Sequence, residues 1–417
     1  MAAPYLNLAV PKSILDTDLY KFTMQQAVFH YFPDVHATYQ FKNRNSNVLF
    51  SRQCFERFRA AVAEFTNLSL SSSEHEWMKQ AFPFFSDSYL SYLAAYRYKP
   101  EQLQITFVPR TDDGLLGSIE IQASGPWVET ICWEVPLMAC LSETYFQTVA
   151  TDWDYQGQSE GAFQKAEALL SAGCVFSEFG TRRRRSYQTQ DIVIQSLIRA
   201  SQSLPGQGKL AGTSNVHFAH KYNIPAIGTI AHEWFMGVAA LKGYEQANVS
   251  ALHLWENLYS DAALIALTDT FSTDVFFKDF VSDPDRVERW AGLRQDSGDP
   301  FAFAPRAISM YRAAGVDPQY KQIIFSDALD IEKCIRLQDQ CNTLGLYKVS
   351  FGIGTFLTND FRTLSSGRTE KSKALNIVIK LSSVDQKPCV KLSDDLTKNT
   401  GDKSTVEHVK RVYGLPV

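Results

Sequence analysis

Two hydrophobic textures divide the chain. Residues 36–43 (HATYQFKN) alternate apolar and polar side chains, the period of a half-buried strand. Residues 52–65, 74–82 and 88–95 carry apolar positions at helical spacing. Residues 103–109 and 117–123 predict a strand pair that turns at Asp112, Asp113 and Gly114. The apolar stretch 130–141 predicts a return across that sheet, and Glu129 and Glu134 flank Trp133 there as structural carboxylates. Upstream, Asp16 or Thr17 can cap a helix that buries Leu19, Phe22 and Met24 and carries Tyr20 on its first turn. Helices mixed with antiparallel strands describe an α+β unit.

From about residue 145 long helical patterns alternate with short apolar strands, each closing in a polar or glycine-bearing turn. The strand ends fall at 175–178, 210–212, 226–228, 264–267, 291–294, 323–326 and 348–351. About seven such βα units suit a parallel α/β barrel, with a doubly wound open sheet as the competing topology. Beyond residue 360 the pattern changes again. Residues 362–372 read as a polar loop, 374–381 as a strand and 387–392 as its partner, docking back on the first unit.

Composition narrows the class. The chain has 417 residues, a formal net charge of −4 and no polybasic face, which excludes nucleic acid as the expected partner. Seven cysteines without a Cys-x-x-Cys pair argue against a zinc site or a disulfide framework. No apolar run reaches the length of a membrane span, and residues 1–5 carry no leader signature. The expected compartment is the cytoplasm, with the nucleus as a second location.

Candidate chemistry collects at the strand ends. The run 228–234 (GTIAHEW) follows an apolar strand end and opens a helix, so His232 sits where free N–H groups favour an anion. A histidine there can act as a base, accept a phosphoryl group, or merely hydrogen-bond. Residues 178–185 (EFGTRRRR) offer arginines to phosphate oxygens, or a solvated helix start. Residues 212–215 (GTSN) are a donor-rich turn that can cap a helix or hold a hydroxyl or phosphate; His217 and His220 beyond it read as structural. In residues 294–299 (RQDSGD) the arginine suits a carboxylate, and the aspartates suit ribose hydroxyls or hydrated magnesium. Asp269, Asp274, Asp327 and Asp330 follow neighbouring strands. Residues 350–355 (SFGIGT) place a Gly-x-Gly-Thr turn where barrels hold a monoester phosphate. Residues 401–404 (GDKS) and 205–209 (PGQGK) imitate phosphate loops without the upstream glycine and read as exposed loops. Together the strand ends describe a phosphate-rich sugar donor and leave its acceptor unnamed.

Six collinear motifs extend this reading: 16–24 (DTDLYKFTM), 178–183 (EFGTRR), 212–215, 228–234, 293–299 (LRQDSGD) and 351–355 (FGIGT). Together they resemble the nicotinate phosphoribosyltransferases of the type II phosphoribosyltransferase family, in their fungal branch. The resemblance implies an irregular TIM-like α/β barrel over 145–361. An α/β sandwich domain of residues 1–144, completed by 362–417, accompanies it. It implies nicotinate and 5-phosphoribosyl 1-pyrophosphate as substrates, ATP and magnesium as cofactors, and a homodimer. His232 would be the residue that ATP phosphorylates. Tyr20 would stack on the pyridine ring from the neighbouring subunit. Thr229 and Arg294 would hold nicotinate, and Gly354 and Thr355 the ribose 5-phosphate. Arg182 and Ser214 would meet substrate, and Asp296 the ribose or magnesium-bound pyrophosphate. No dedicated protein-held metal is implied, and Gln295 stands where relatives often have an aliphatic residue or another polar one. Rivals are a sister enzyme acting on nicotinamide, a phosphosugar aldolase or isomerase whose one candidate Schiff-base lysine is Lys348, and a non-catalytic sensor.

Overall fold

A computed structural model describes residues 7–206, 208–260, 262–395 and 399–416. The strands, in chain order, begin with β1 (His36–Asn43), β2 (Phe50–Ser51), β3 (Leu103–Pro109) and β4 (Leu116–Pro126). Six short strands follow: β5 (Val175–Glu178), β6 (Lys209–Thr213), β7 (Ile265–Leu267), β8 (Gly292–Gln295), β9 (Gln322–Phe325) and β10 (Val349–Ile353). The last are β11 (Phe361–Arg362), β12 (Lys371–Ser372), β13 (Ile377–Val384) and β14 (Lys387–Pro388).

The first sheet is antiparallel, in the order β14-β13-β1-β4-β2, with β3 also on β4. β1 lies between strands from the two ends of the chain: Tyr39 faces Ala123 of β4 and Leu381 of β13. The second sheet is parallel throughout, in the order β6-β5-β10-β9-β8-β7. β7 and β10 are buried along their whole length, which suits a parallel sheet covered on both faces.

Its two edges meet through residues 224–230. Ile227 N–H donates to the Thr213 carbonyl at 2.8 Å, and Thr213 N–H donates to the Pro225 carbonyl at 3.1 Å. On the far side the Thr229 hydroxyl donates to the Ile265 carbonyl at 3.2 Å. The result is an irregular α/β barrel. The strand expected at 226–228 is an extended connector instead, held to β6 by a single parallel bridge between Ala226 and Thr213. Gly212 permits the close approach, since a Cβ there would lie 2.1 Å from the Pro225 carbonyl oxygen.

Helix α1 (Leu19–Tyr31) runs through the core and is buried on nearly every face. Its polar residues are therefore hydrogen-bonded: Gln25 donates to the Val128 carbonyl and Gln26 to that of Phe84, at 2.8 and 3.0 Å. The expected cap is corrected. The N-cap is Asp18, without a side-chain cap bond, while Asp16 forms a two-toothed pair with Arg184 at 2.7 and 2.8 Å.

Other expectations shift too. Residues 130–141 feed a helix, Glu134–Thr148, and residues 362–372 carry the β11–β12 ladder. Residues 401–404 are exposed, but Lys403 and Ser404 open a helix, Lys403–Val412, that Asp402 caps. In the 205–209 string, Lys209 begins β6 and Gln207 lies outside the described residues, as do residues 1–5 of the chain start. β14 is only two residues long. All seven cysteines are buried and free. Among the described residues no helix is long and apolar enough to cross a membrane.

Candidate active site

His232 is the first residue of the helix His232–Lys242, at the barrel rim. Four residues from three elements surround its ring. Nδ1 lies 3.0 Å from the Thr270 hydroxyl, beyond β7. Nε2 lies 3.1 Å from Asp296 Oδ2, beyond β8, and 2.8 Å from Lys391 Nζ, on the C-terminal segment. Asp269 Oδ1 stands 3.7 Å from Nε2 and has no hydrogen-bond partner. The imidazole keeps 18% of its side-chain surface exposed, so it is open to a ligand rather than sealed in apolar packing.

Asp296 joins this histidine to an arginine. Its Oδ1 accepts from Arg294 Nη2 at 3.0 Å and from the Ser326 hydroxyl at 2.7 Å. Arg294 Nε donates to the same Ser326 at 2.8 Å. Burial opposes the charge on Asp296, yet Arg294, His232 and Lys391 hold its carboxyl well below the usual range. Burial, then Lys391, pushes the His232 imidazolium toward losing its proton, against the pull of Asp269 and Asp296.

One nitrogen cannot serve both neighbours at once. An ammonium only donates and an ionised carboxylate only accepts. In the neutral ring with hydrogen on Nδ1, that hydrogen goes to Thr270 and the Nε2 lone pair faces Lys391. In the protonated ring Nε2–H goes to Asp296. The electrostatics favour the first state.

The other half of the rim belongs to residues 179–185 and the turn after β10. Thr358 donates to the Gly180 carbonyl at 2.8 Å, and Asn359 to that of Arg183 at 2.7 Å. Gly354 and Thr355 stand at this turn, the start of the helix Thr355–Thr358. Arg182 keeps 44% of its side chain exposed and reaches Glu134 at 3.4 Å. Its charge acts on the Tyr20 hydroxyl, Glu134, Asp18 and Asp296, so it looks across the mouth. Its neighbours turn away: Arg183 donates to the Ile377 carbonyl, Arg184 pairs with Asp16, and Arg185 lies against Phe146.

The predicted residues thus fall in two groups. Asp296 pairs with Arg294 at 3.0 Å and stands 3.1 Å from His232 Nε2. Tyr20 lies close enough to Arg182 for their charges to interact, and Gly354 and Thr355 stand at the turn after β10. Thr229 spends its hydroxyl proton on barrel closure. Ser214 is buried and donates to Asp18 at 2.7 Å, tying α1 to the barrel. Asp299 and Asp330 are helix caps. Lys348 precedes β10, at the opposite end of the barrel, and donates to the Tyr320 carbonyl. Sequence reasoning missed Lys391, which reaches the site across about 160 residues and carries no local signal. It also missed Lys21, a fully buried ammonium between Glu134 at 2.5 Å and Glu233 at 2.6 Å. Tyr39 and Trp127 also donate to Glu233.

A parallel α/β barrel whose mouth sets Arg294 and Lys391 beside an accessible histidine offers a site suited to anionic ligands. The comparisons specify it. Residues 174–417 match the nicotinate phosphoribosyltransferase (NAPRTase) family model, and residues 15–142 match the NAPRTase N-terminal domain model. Nicotinate phosphoribosyltransferase of Saccharomyces cerevisiae is 42% identical over 97% of this chain and 95% of its own length. That of Methanosarcina mazei is 41% identical over 97% and 98%. A crystal structure from Saccharomyces cerevisiae superposes with a TM-score of 0.95 at 40% identity, over 99% of this chain and 100% of that one. Nicotinate phosphoribosyltransferase from Porphyromonas gingivalis gives 0.87 at 34% identity, over 97% and 100%. The chain belongs to the nicotinate phosphoribosyltransferase family.

Proposed function

We propose that this chain joins nicotinate to 5-phosphoribosyl 1-pyrophosphate, yielding nicotinate mononucleotide and pyrophosphate, with the reaction coupled to ATP through phosphorylation of His232. The observation that supports it is the Asp296 carboxylate, which pairs with Arg294 at 3.0 Å and stands 3.1 Å from His232 Nε2. Carboxylate recognition and phosphoryl acceptance then share a single scaffold.

Arg294 takes the nicotinate carboxylate with the guanidinium nitrogens that Ser326 and Asp296 leave free. Tyr20 covers the ring, in the homodimer we infer. Thr229 contributes its backbone and hydroxyl oxygen to the same ligand. Gly354 and Thr355 hold the ribose 5-phosphate, and Arg182 meets the phosphates of the donor. Magnesium would come with those phosphates as part of the substrates and would offset their charge. The pyridine nitrogen attacks C1 of the ribose, the C1–O bond breaks, and its electron pair leaves with pyrophosphate. No general base is needed, because the nitrogen lone pair is already free. A phosphoryl group on His232 adds negative charge at the rim, which attracts the exposed Arg182 side chain. Hydrolysis of the N–P bond resets the site. This chemistry belongs in the cytoplasm, where free thiols such as these persist.

The test is product analysis by mass spectrometry with nicotinate and nicotinamide in parallel. Pyrophosphate and the acid mononucleotide, formed preferentially from nicotinate and faster with ATP, support the reading. Equal or greater turnover of nicotinamide contradicts it.

A further inference from the structure

We propose that Lys391 is a positioning residue for His232: its ammonium, 2.8 Å from Nε2 and 3.0 Å from Asp269 Oδ2, reserves the Nε2 lone pair for phosphoryl transfer and then neutralises the incoming phosphoryl oxygens. The inference rests on His232 being the phosphoryl acceptor.

Lys391 comes to the ring preset. Its N–H donates to the Thr400 carbonyl at 3.0 Å and its carbonyl accepts from Thr400 N–H at 2.8 Å. The next residue, Leu392, donates to the Thr270 carbonyl at 2.8 Å. The backbone is therefore fixed on both sides, next to the residue whose hydroxyl meets His232 Nδ1. The side chain is buried, so little freedom is left to lose when an anion arrives.

The geometry gives Nε2 a choice and Lys391 decides it. The groups facing the imidazole are Asp269 and Thr270 beyond β7, Asp296 beyond β8 with Arg294 and Ser326 behind it, and Lys391 from the C-terminal segment. On the imidazole's own helix, Glu233 turns to Lys21. Asp269 and Asp296 alone would draw a proton onto Nε2 and block it. An ammonium at hydrogen-bond distance admits only the lone pair. In the transfer step that pair forms the N–P bond to the γ-phosphorus. The bond from that phosphorus to the bridging oxygen breaks, and its electrons leave on ADP. The Nδ1 proton stays beside Thr270. Lys391 then needs only to turn from the nitrogen to a phosphoryl oxygen. Water later attacks the phosphorus, and phosphate departs as the lone pair returns to Nε2.

Two readouts test this on the full-length enzyme. In Lys391→Met, incorporation of label from γ-labelled ATP should keep its shape with pH but shift its acid limb upward by about half a unit or more. The acid-labile label should also be lost several-fold faster. Lys391→Arg should restore the acid limb. NMR titration of ¹⁵N-histidine protein should show the His232 imidazole gaining its proton at higher pH in Lys391→Met, whether or not ATP is present. Should Lys391→Met not fold, Asp269→Asn must shift the same titration downward, since it removes the opposing charge. An unchanged His232 titration in the folded variants overturns the role of Lys391. Wild-type protein that takes no acid-labile label overturns the phosphohistidine reading instead, while the NMR titration still reports on the lysine–histidine coupling.

Discussion

Four consecutive arginines, Arg182 to Arg185, have four different surroundings. Arg182 faces the mouth, Arg183 meets a carbonyl of β13, and Arg184 is neutralised by Asp16. Arg185 is fully buried, with its guanidinium 3.6 Å from the Phe146 ring centre. A run that reads as a single phosphate clamp is therefore one ligand-facing cation and three structural ones. Asp16→Ala should leave Arg184 buried without its carboxylate and cost about 3–5 kcal/mol, measured by denaturant unfolding. Asp16 is held below its ordinary range by Arg184 despite burial, so its contribution is present above the unfolded carboxylate value near pH 3.8 and fades as pH falls through the lower folded value. At the mouth, Arg294→Gln should lower kcat/KM for nicotinate by about 2–5 kcal/mol in transition-state terms, with a smaller loss for nicotinamide. Steady-state kinetics on both bases checks this, and equal losses would remove Arg294 from carboxylate recognition.

At the scale of elements, the sequence shows the barrel well because each strand end couples an apolar run to a polar turn. Six of the seven expected strand positions coincide with β5 to β10, and the seventh is the connector at 226–228. The site residues that announce themselves lie in these turns, as His232, Arg294 and Asp296 do. What stayed hidden depends on packing between distant elements. Nothing near Lys391 says that it enters the barrel mouth, and nothing in α1 says that its polar side chains face other helices. The helix His232–Lys242 gives an example of such packing. Gly237 within it meets the buried Trp127, whose ring would lie 2.3 Å from an added Cβ. Gly237→Ala gains helix propensity yet should destabilise by about 1–3 kcal/mol, because Trp127 has no room to retreat. A thermal melt reads the sign directly.

Across the whole molecule, Lys21 joins parts that the chain separates. It follows Tyr20 on α1 and pairs with Glu134, which reaches Arg182, and with Glu233, which follows His232. One buried ammonium thus ties the first sheet's helices to both halves of the rim. Lys21→Met should cost about 3–5 kcal/mol, since it strands two buried carboxylates. Burial opposes the charge of Glu134, but Lys21 and Arg182 hold its carboxyl below its ordinary value. That contribution is full above the unfolded glutamate value, near pH 4.5, and is lost as pH falls through the folded one. The variant should therefore show a flatter loss of stability in acid than the wild type, measured by urea unfolding across pH 3–6.

We propose above that the imidazole of His232, open at the barrel mouth between Asp296 and Lys391, receives a phosphoryl group from ATP. The most direct measurement is incubation with γ-³²P-ATP, followed by acid and alkali treatment of the isolated protein and the same procedure on His232→Ala. The account predicts stoichiometric label on the wild type that acid removes and alkali spares, and no label on the variant. Label that survives acid, or that persists on His232→Ala, would contradict it.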